Sequence, residues 1–114
     1  KLRTLRDAHV LWHTSVREGW GLNVVEANAM GTPAVVYPVA GLVDSTRDGV
    51  TGLVTNAENP GNLAHETAAL LTDADRYNLL RSNALEHARS MHWRSVLPKA
   101  CDWLESIAVS KQSA

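Results

Sequence analysis

The sequence predicts an α/β fold built on a short parallel sheet, and three observations predict it. Brief apolar runs of strand length occur at residues 7–14, 34–37 and 52–55. Between the first two lie a glycine-bearing loop and a stretch of small residues, the strand–loop–helix–strand order of a βαβ unit with a right-handed crossover. After Asn59-Pro60-Gly61 the apolar period becomes helical and stays so to the end of the chain. Three strands make half of a usual doubly wound sheet, so one sheet edge is expected to lack its neighbour.

Each element has its own signal. Residues 7–14 (Asp-Ala-His-Val-Leu-Trp-His-Thr) are mostly apolar, as in a strand buried on both faces. A helix follows from about Leu22 to Met30. Gly31 stands where a left-handed C′ residue belongs, and Pro33 prevents continuation. Ala27, Ala29 and Gly31 let that helix lie close to a sheet. Residues 34–37 (Ala-Val-Val-Tyr) form a second buried strand closed by Pro38, residues 41–48 a loop with one helical turn, and residues 52–55 a third strand. Leu63, Thr67, Leu70 and Leu71 mark an amphipathic helix capped by Asn59 or Asn62. Asp73 or Asp75 caps the next, whose apolar face holds Leu80, Ala84, Ala88 and Met91. The last helix, about 94–107, shows Val96, Leu97, Ala100, Trp103, Leu104 and Ile107 on one side, with Trp93 just before it and a frayed tail at 111–114.

The 114 residues amount to about one small domain, able to bury roughly two thirds of its unfolded surface. With 45% hydrophobic residues, 20% charged residues and a net charge of −1, no basic stripe stands out and no nucleic-acid partner is expected. The single Cys101 excludes an internal disulfide framework and fits a reducing, cytoplasmic compartment. No apolar run approaches the ~20 residues that span a bilayer, and no signal peptide precedes the first strand. The chain opens at Lys1, close to a strand, and reads as a fragment of something longer.

Residues 15–33 carry the most chemistry: Ser15-Val-Arg-Glu-Gly-Trp-Gly-Leu-Asn-Val-Val-Glu-Ala-Asn-Ala-Met-Gly-Thr-Pro33. Glu18 precedes Gly19 and Gly21 in a loop that runs into a helix N-terminus, where exposed N–H groups suit an anion such as a diphosphate. Glu26 follows on the helix, and an ionised carboxylate accepts two hydrogen bonds, as a ribose diol requires. The loop lies at the carboxyl end of a strand, where open α/β sheets place ligands. Gly19-x-Gly21 alone equally serves backbone geometry and Trp20 equally caps the adjacent helix, whereas a solvated face is the lesser reading for either acid taken singly. An ideal helix running through Glu18 and Glu26 would separate them by about 12 Å and roughly 80°. That excludes the ~5 Å carboxylate pair of a retaining glycosidase. Glu18 instead falls ahead of the helix, near its positive end. There it suits sugar hydroxyls, or positive charge developing at an anomeric carbon.

Little else competes. His9 and His13 on a strand would lie roughly 13 Å apart, too far for one metal. All five histidines are expected to be structural or surface groups. Cys101 is expected to be a small packed hydrophobe. Residues 44–48 offer too few alternating ligands for calcium, and Arg17 is expected to be solvated.

The stretch from Ser15 to Pro33 resembles the Glu-x7-Glu signature of the family 4 (group 1) retaining glycosyltransferases, with Glu18 and Glu26 as its two acids. The likeness continues through Val39-Ala-Gly41, Asp48-Gly49 and Thr51-Gly52-Leu-Val, and the helical tail through Trp93 is also typical. It is strong over about the first 60 residues. It implies the GT-B fold, with this chain as the second half of the C-terminal, donor-binding domain: a partial Rossmann-like, three-layer parallel sheet with a helical tail. Residues 1–60 would be the β/α donor-site part and 61–110 the helical part of a single partial domain. The resemblance implies that Glu18 is the catalytic residue beside the donor sugar and the transferring centre. It gives backbone contacts to sugar and diphosphate from Gly19, Trp20, Gly21 and Leu22, and the ribose hydroxyls to Glu26. The family uses a nucleotide-diphosphate sugar without a bound metal, so no cofactor or metal is expected.

Trp20 stands where the family often has phenylalanine, and Asp44 where many members have glutamate, so Asp44 takes no site role. The family's basic pair for the diphosphate and its acceptor-binding N-terminal domain lie upstream of these residues. The reading is therefore the donor-site part of a retaining hexosyltransferase, inactive alone, whose parent is cytoplasmic or lies at the cytoplasmic membrane face. The alternatives are a non-catalytic nucleotide- or phosphosugar-binding module, and a hydrolase or epimerase on the same architecture. The apolar last helix, or the open sheet edge, is expected to expose a patch that promotes self-association.

Overall fold

The computed structural model describes residues 1–113. Its elements run in the order α1 (Leu2–Asp7), β1 (Leu11–His13), α2 (Leu22–Ala29), β2 (Ala34–Val36), α3 (Ala40–Ser45), β3 (Gly52–Val54), α4 (Pro60–Leu71), α5 (Ala74–Ser90) and α6 (Trp93–Ser113). The three strands form one parallel sheet in the order β1-β2-β3. Leu11 is in register with Ala34, and Ala34 with Gly52. The α/β expectation and its βαβ unit hold.

The central strand is apolar because it is enclosed: Ala34, Val35 and Val36 are all buried. Around it gather Val24 and Ala27 from α2, Leu42 from α3, Leu53 from β3, Leu63 and Leu70 from α4 and Leu80 from α5. Burying each leucine is worth about 2 kcal/mol over leaving it exposed. Helices cover both sheet faces. The Trp12 indole donates to Thr67 Oγ1 on α4 at 2.8 Å, so alternation along β1 turns Leu11 and His13 to the opposite face. That face is the side of α2. Helix α5 passes beneath the amino ends of the strands, where Tyr77 Oη donates to the His9 carbonyl at 2.7 Å and Arg81 Nε to the Gly31 carbonyl at 3.0 Å.

The punctuation residues act as expected. Gly31 has φ +75° and ends α2, its N–H donating to the Asn28 carbonyl. Asn59 Oδ1 accepts the Asn62 N–H at 2.8 Å, and Asp73 Oδ1 the Arg76 N–H at 3.0 Å, so the first candidate of each pair is the cap.

Several expectations need correction. Only Leu11–His13 of residues 7–14 is strand, and Leu2–Asp7 is helical. The neighbouring strand begins at Ala34, just after Pro33, so backbone ahead of Leu11 has nothing to pair with. Nor is β1 buried on both faces: as an edge strand it leaves Trp12 54% exposed. Leu71 is exposed at the end of α4. Residues 40–45 form a six-residue helix rather than one turn in a loop.

The last helix differs most. It begins at Trp93 and runs through Lys111 to Ser113, where a frayed tail was expected; Ala114 lies outside the described residues. No glycine or proline stands between Lys99 and Ser113 to stop it. None of its residues is buried, and Cys101 is exposed rather than packed. The helix projects from the rest, giving extents of 57 × 25 × 25 Å and a radius of gyration of 16.8 Å, against about 13 Å for a compact chain of this length. Trp93 and Trp103 are 74% and 63% exposed. The apolar patch expected on this helix is present.

Candidate functional site

Parallel strands end at a common edge, and the loops after β1, β2 and β3 gather there. The loop at 14–21 follows β1 and leads into α2. Two backbone hydrogen bonds tie it to the start of α3: Gly41 N–H to the Glu18 carbonyl at 3.1 Å, and Gly21 N–H to the Gly41 carbonyl at 3.3 Å. The approach requires glycine, because a Cβ at 41 would overlap the Glu18 carbonyl, and one at 21 the Ser45 hydroxyl. The second glycine of Gly19-x-Gly21 thus serves packing. Gly19 differs: a Cβ there would meet nothing within 4 Å.

The polar surface of the loop is partly used and partly free. Within the chain, the Gly21 N–H is taken by Gly41, and the Leu22 N–H by the Trp20 carbonyl at 2.9 Å. The N–H groups of Gly19, Trp20 and Asn23 have no acceptor among the described residues. Three free donors beside the start of α2 offer an anion both hydrogen bonds and the positive end of the helix. Trp20 is 43% exposed and Leu22 also stands in solvent, so neither is core.

The two acids occupy different settings. Glu18 lies in the loop, four residues ahead of α2, with its side chain 30% exposed. Its Oε2 stands 3.4 Å from His13 Nε2. Glu26 lies within α2, its Oε2 ion-paired with Lys1 Nζ at 2.5 Å. Lys1 also donates to Asn23 Oδ1 at 3.3 Å, so the Glu26 side of α2 is engaged with the chain's first residue. Sequence spacing set His13 aside together with the other histidines. The pairing with Glu18 arises because the loop turns back over the end of β1, which strand pitch alone does not show. The two residues are five apart in sequence, and that proximity was the available signal.

Among the described residues no cluster of three or more His, Cys, Asp or Glu side chains is placed to hold a metal ion. A cavity of about 670 Å³ lies elsewhere, between Val25 and Ala29 of α2 and the α5–α6 junction at Ala88, Met91 and Arg94. No helix among the described residues is long and apolar enough to cross a membrane.

A family model described as "Glycosyl transferases group 1" matches residues 1–87. Among curated proteins, D-inositol 3-phosphate glycosyltransferase 1 of Catenulispora acidiphila is 38% identical over 94 residues, which cover 82% of this chain and 22% of that protein. The D-inositol 3-phosphate glycosyltransferase of Kribbella flavida is 38% identical over 88 residues, covering 77% of this chain and 21% of its own length. Among solved structures, sucrose-phosphate synthase (tll1590) from Thermosynechococcus elongatus superimposes with a TM-score of 0.75 at 25% identity, over 90% of this chain and 26% of that one. Anabaena Alr3699/HepE in complex with UDP gives 0.80 at 24% identity, over 91% of this chain and 29% of that one. The present chain thus spans about a fifth of the curated relatives it matches.

Proposed function

The chain belongs to the group 1 glycosyl transferases, and from that membership we propose that it forms part of the donor site of a retaining enzyme that transfers a sugar from a nucleotide-diphosphate sugar. The observation that carries this reading is the loop after β1. It presents a carboxylate, an open glycine and three unpaired N–H groups together at the carboxyl edge of a parallel sheet.

In this reading the N–H groups of Gly19 and Trp20, together with Asn23 at the start of α2, receive the diphosphate. The helix dipole helps neutralise the charge that grows on it as the glycosidic bond breaks. Glu18 lies against the sugar, holding hydroxyls and stabilising positive charge at the anomeric carbon. Gly21 and Leu22 shape the turn and flank the ligand. Glu26 exchanges its lysine partner for the ribose diol. The donor needs no metal to bind here, since amides and dipole supply the positive field.

The segment is part of a longer cytoplasmic chain, either free or at the cytoplasmic membrane face. That chain's other parts supply the basic residues for the diphosphate and the acceptor-binding domain. The 114 residues alone are catalytically inactive, because one wall of the crevice is present. The exposed stripe on α6 makes the isolated chain self-associate.

The test is sugar transfer by the full-length protein from UDP-, ADP- and GDP-glucose, with the product's anomeric configuration read by NMR. Glu18→Gln should lower turnover at least ~100-fold, in line with losing an electrostatic group at the reacting centre. Wild-type turnover in that variant would remove Glu18 from the site. Inversion at the anomeric carbon would remove the retaining assignment. Donor binding without transfer to any acceptor would favour the non-catalytic module.

A further inference from the structure

His13 closes β1, and its backbone is fixed there: its carbonyl accepts the Tyr37 N–H from the β2 side at 3.2 Å. Because Trp12 is committed to Thr67 on α4, the His13 side chain points to the other face of the sheet. It is 13% exposed, and its Nε2 stands 3.4 Å from Glu18 Oε2. Glu18 is likewise fixed through its own carbonyl, which accepts the Gly41 N–H. Two anchored backbones therefore hold the imidazole against one oxygen of the carboxylate. The other, Oε1, has no partner among the described residues. At 3.4 Å the contact lies just beyond the usual N–H···O range, and such contacts tighten when a ligand completes the site.

We propose that His13 is a positioning residue for Glu18: its Nε2–H donates to Glu18 Oε2, fixing the rotamer so that Oε1 is presented to a hydroxyl of the donor sugar. A glutamate has three rotatable side-chain bonds, and leaving them free in a half-exposed loop would cost binding each time the sugar arrived. An imidazole at the end of a strand removes that freedom before binding. The role concerns the sugar half of the ligand and not the nucleotide half, and it rests on the donor-site reading above.

The experiment uses the full-length protein and calorimetric titration with UDP, ADP and GDP and with the corresponding glucose conjugates. The base that binds in the wild type is used throughout. The variants are Glu18→Gln, His13→Leu and His13→Gln, each checked for an unchanged thermal transition. His13→Leu should weaken binding of the nucleotide-glucose about tenfold, the size of one lost hydrogen bond to a charged group, while leaving the free nucleotide within about twofold. His13→Gln, whose amide N–H can reach the same oxygen, should recover most of that loss. Equal weakening of both ligands by His13→Leu would show a merely structural role and overturn the proposal, as would an unchanged ratio while Glu18→Gln weakens the conjugate. If Glu18→Gln leaves the conjugate's affinity unchanged, or no conjugate binds the wild type, the donor-site reading falls and this inference with it.

Discussion

The N–H of Gly41 donates to the carbonyl of Glu18 at 3.1 Å, in a space that has no room for a Cβ at position 41. The first turn of α3 is therefore a template for the loop that carries the acid. Gly41→Ala should push the loop off α3 while β2 and the core around Leu42 persist. Overpacking of this kind costs about 1–3 kcal/mol, so the thermal transition should fall by several degrees. Nucleotide-sugar affinity of the full-length protein should fall further, by about tenfold or more, since positioning errors act directly on binding. A variant that loses stability yet binds as the wild type does would show that the loop is placed by something other than α3.

A second test concerns the helix that passes beneath the strands. Asp73 Oδ1 caps α5 through the Arg76 N–H at 3.0 Å, and α5 in turn reaches His9 and Gly31 through Tyr77 and Arg81. Asp73→Ala should cost about 1 kcal/mol and Asp73→Ser much less, because serine also caps. Urea unfolding should show a lower midpoint with an unchanged m-value. Equal stability of the two variants would mean the cap contributes nothing.

What the sequence disclosed and withheld follows a physical pattern. Signals that act within a few residues were legible: the left-handed glycine at Gly31, the Asn59 and Asp73 caps, the β-branched run at Ala34–Val36. Features set by a partner distant in the chain were not. Strand β1 is short because its neighbour starts at Ala34, and Trp12 is exposed because β1 is an edge. Gly21 and Gly41 look alike in sequence to Gly19, yet the first two are spent on the loop–α3 approach and the third is open. His13 read as inert on strand spacing, because nothing in a strand's pitch tells that the following loop returns over its end.

His87 should impose a pH dependence on stability. It sits on α5 in a small polar cavity with Arg47, Thr51 and Asn83. Burial, and then the nearby positive charge of Arg47, lower its pKa from the ordinary 6.5. The unfolded chain therefore binds a proton on this histidine at a pH where the folded chain does not. Above 6.5 both forms are neutral and the group contributes nothing. As pH falls below that value, stability is lost until the folded-state pKa is passed. Arg47→Ala removes one of the two causes, so its melting temperature should decline less between neutral and mildly acidic pH than the wild type's. His87→Gln should flatten that part of the profile further. Parallel profiles in all three proteins would assign the acid sensitivity to other groups.

The α6 stripe sets the last expectation. Trp93, Leu97, Trp103 and Leu104 all stand in solvent on one helix; spacings of four and seven residues align Trp93, Leu97 and Leu104 along a single seam, with Trp103 flanking it. A helix of this length does not keep its form in water by propensity alone, since helical stability comes chiefly from packing an apolar face. Pro98 adds to the need, because it lacks the N–H that its turn would use. Something must therefore cover the seam, and in the isolated 114-residue chain the available surface is a second copy. Sedimentation velocity should show an average mass that rises with concentration. Replacing Leu97 and Leu104 by glutamate should return the chain to a monomer and lower its helical circular dichroism, while the core, to which α6 contributes no buried residue, still melts cooperatively. A monomer at every concentration with full helicity would show that α6 is stable without a partner.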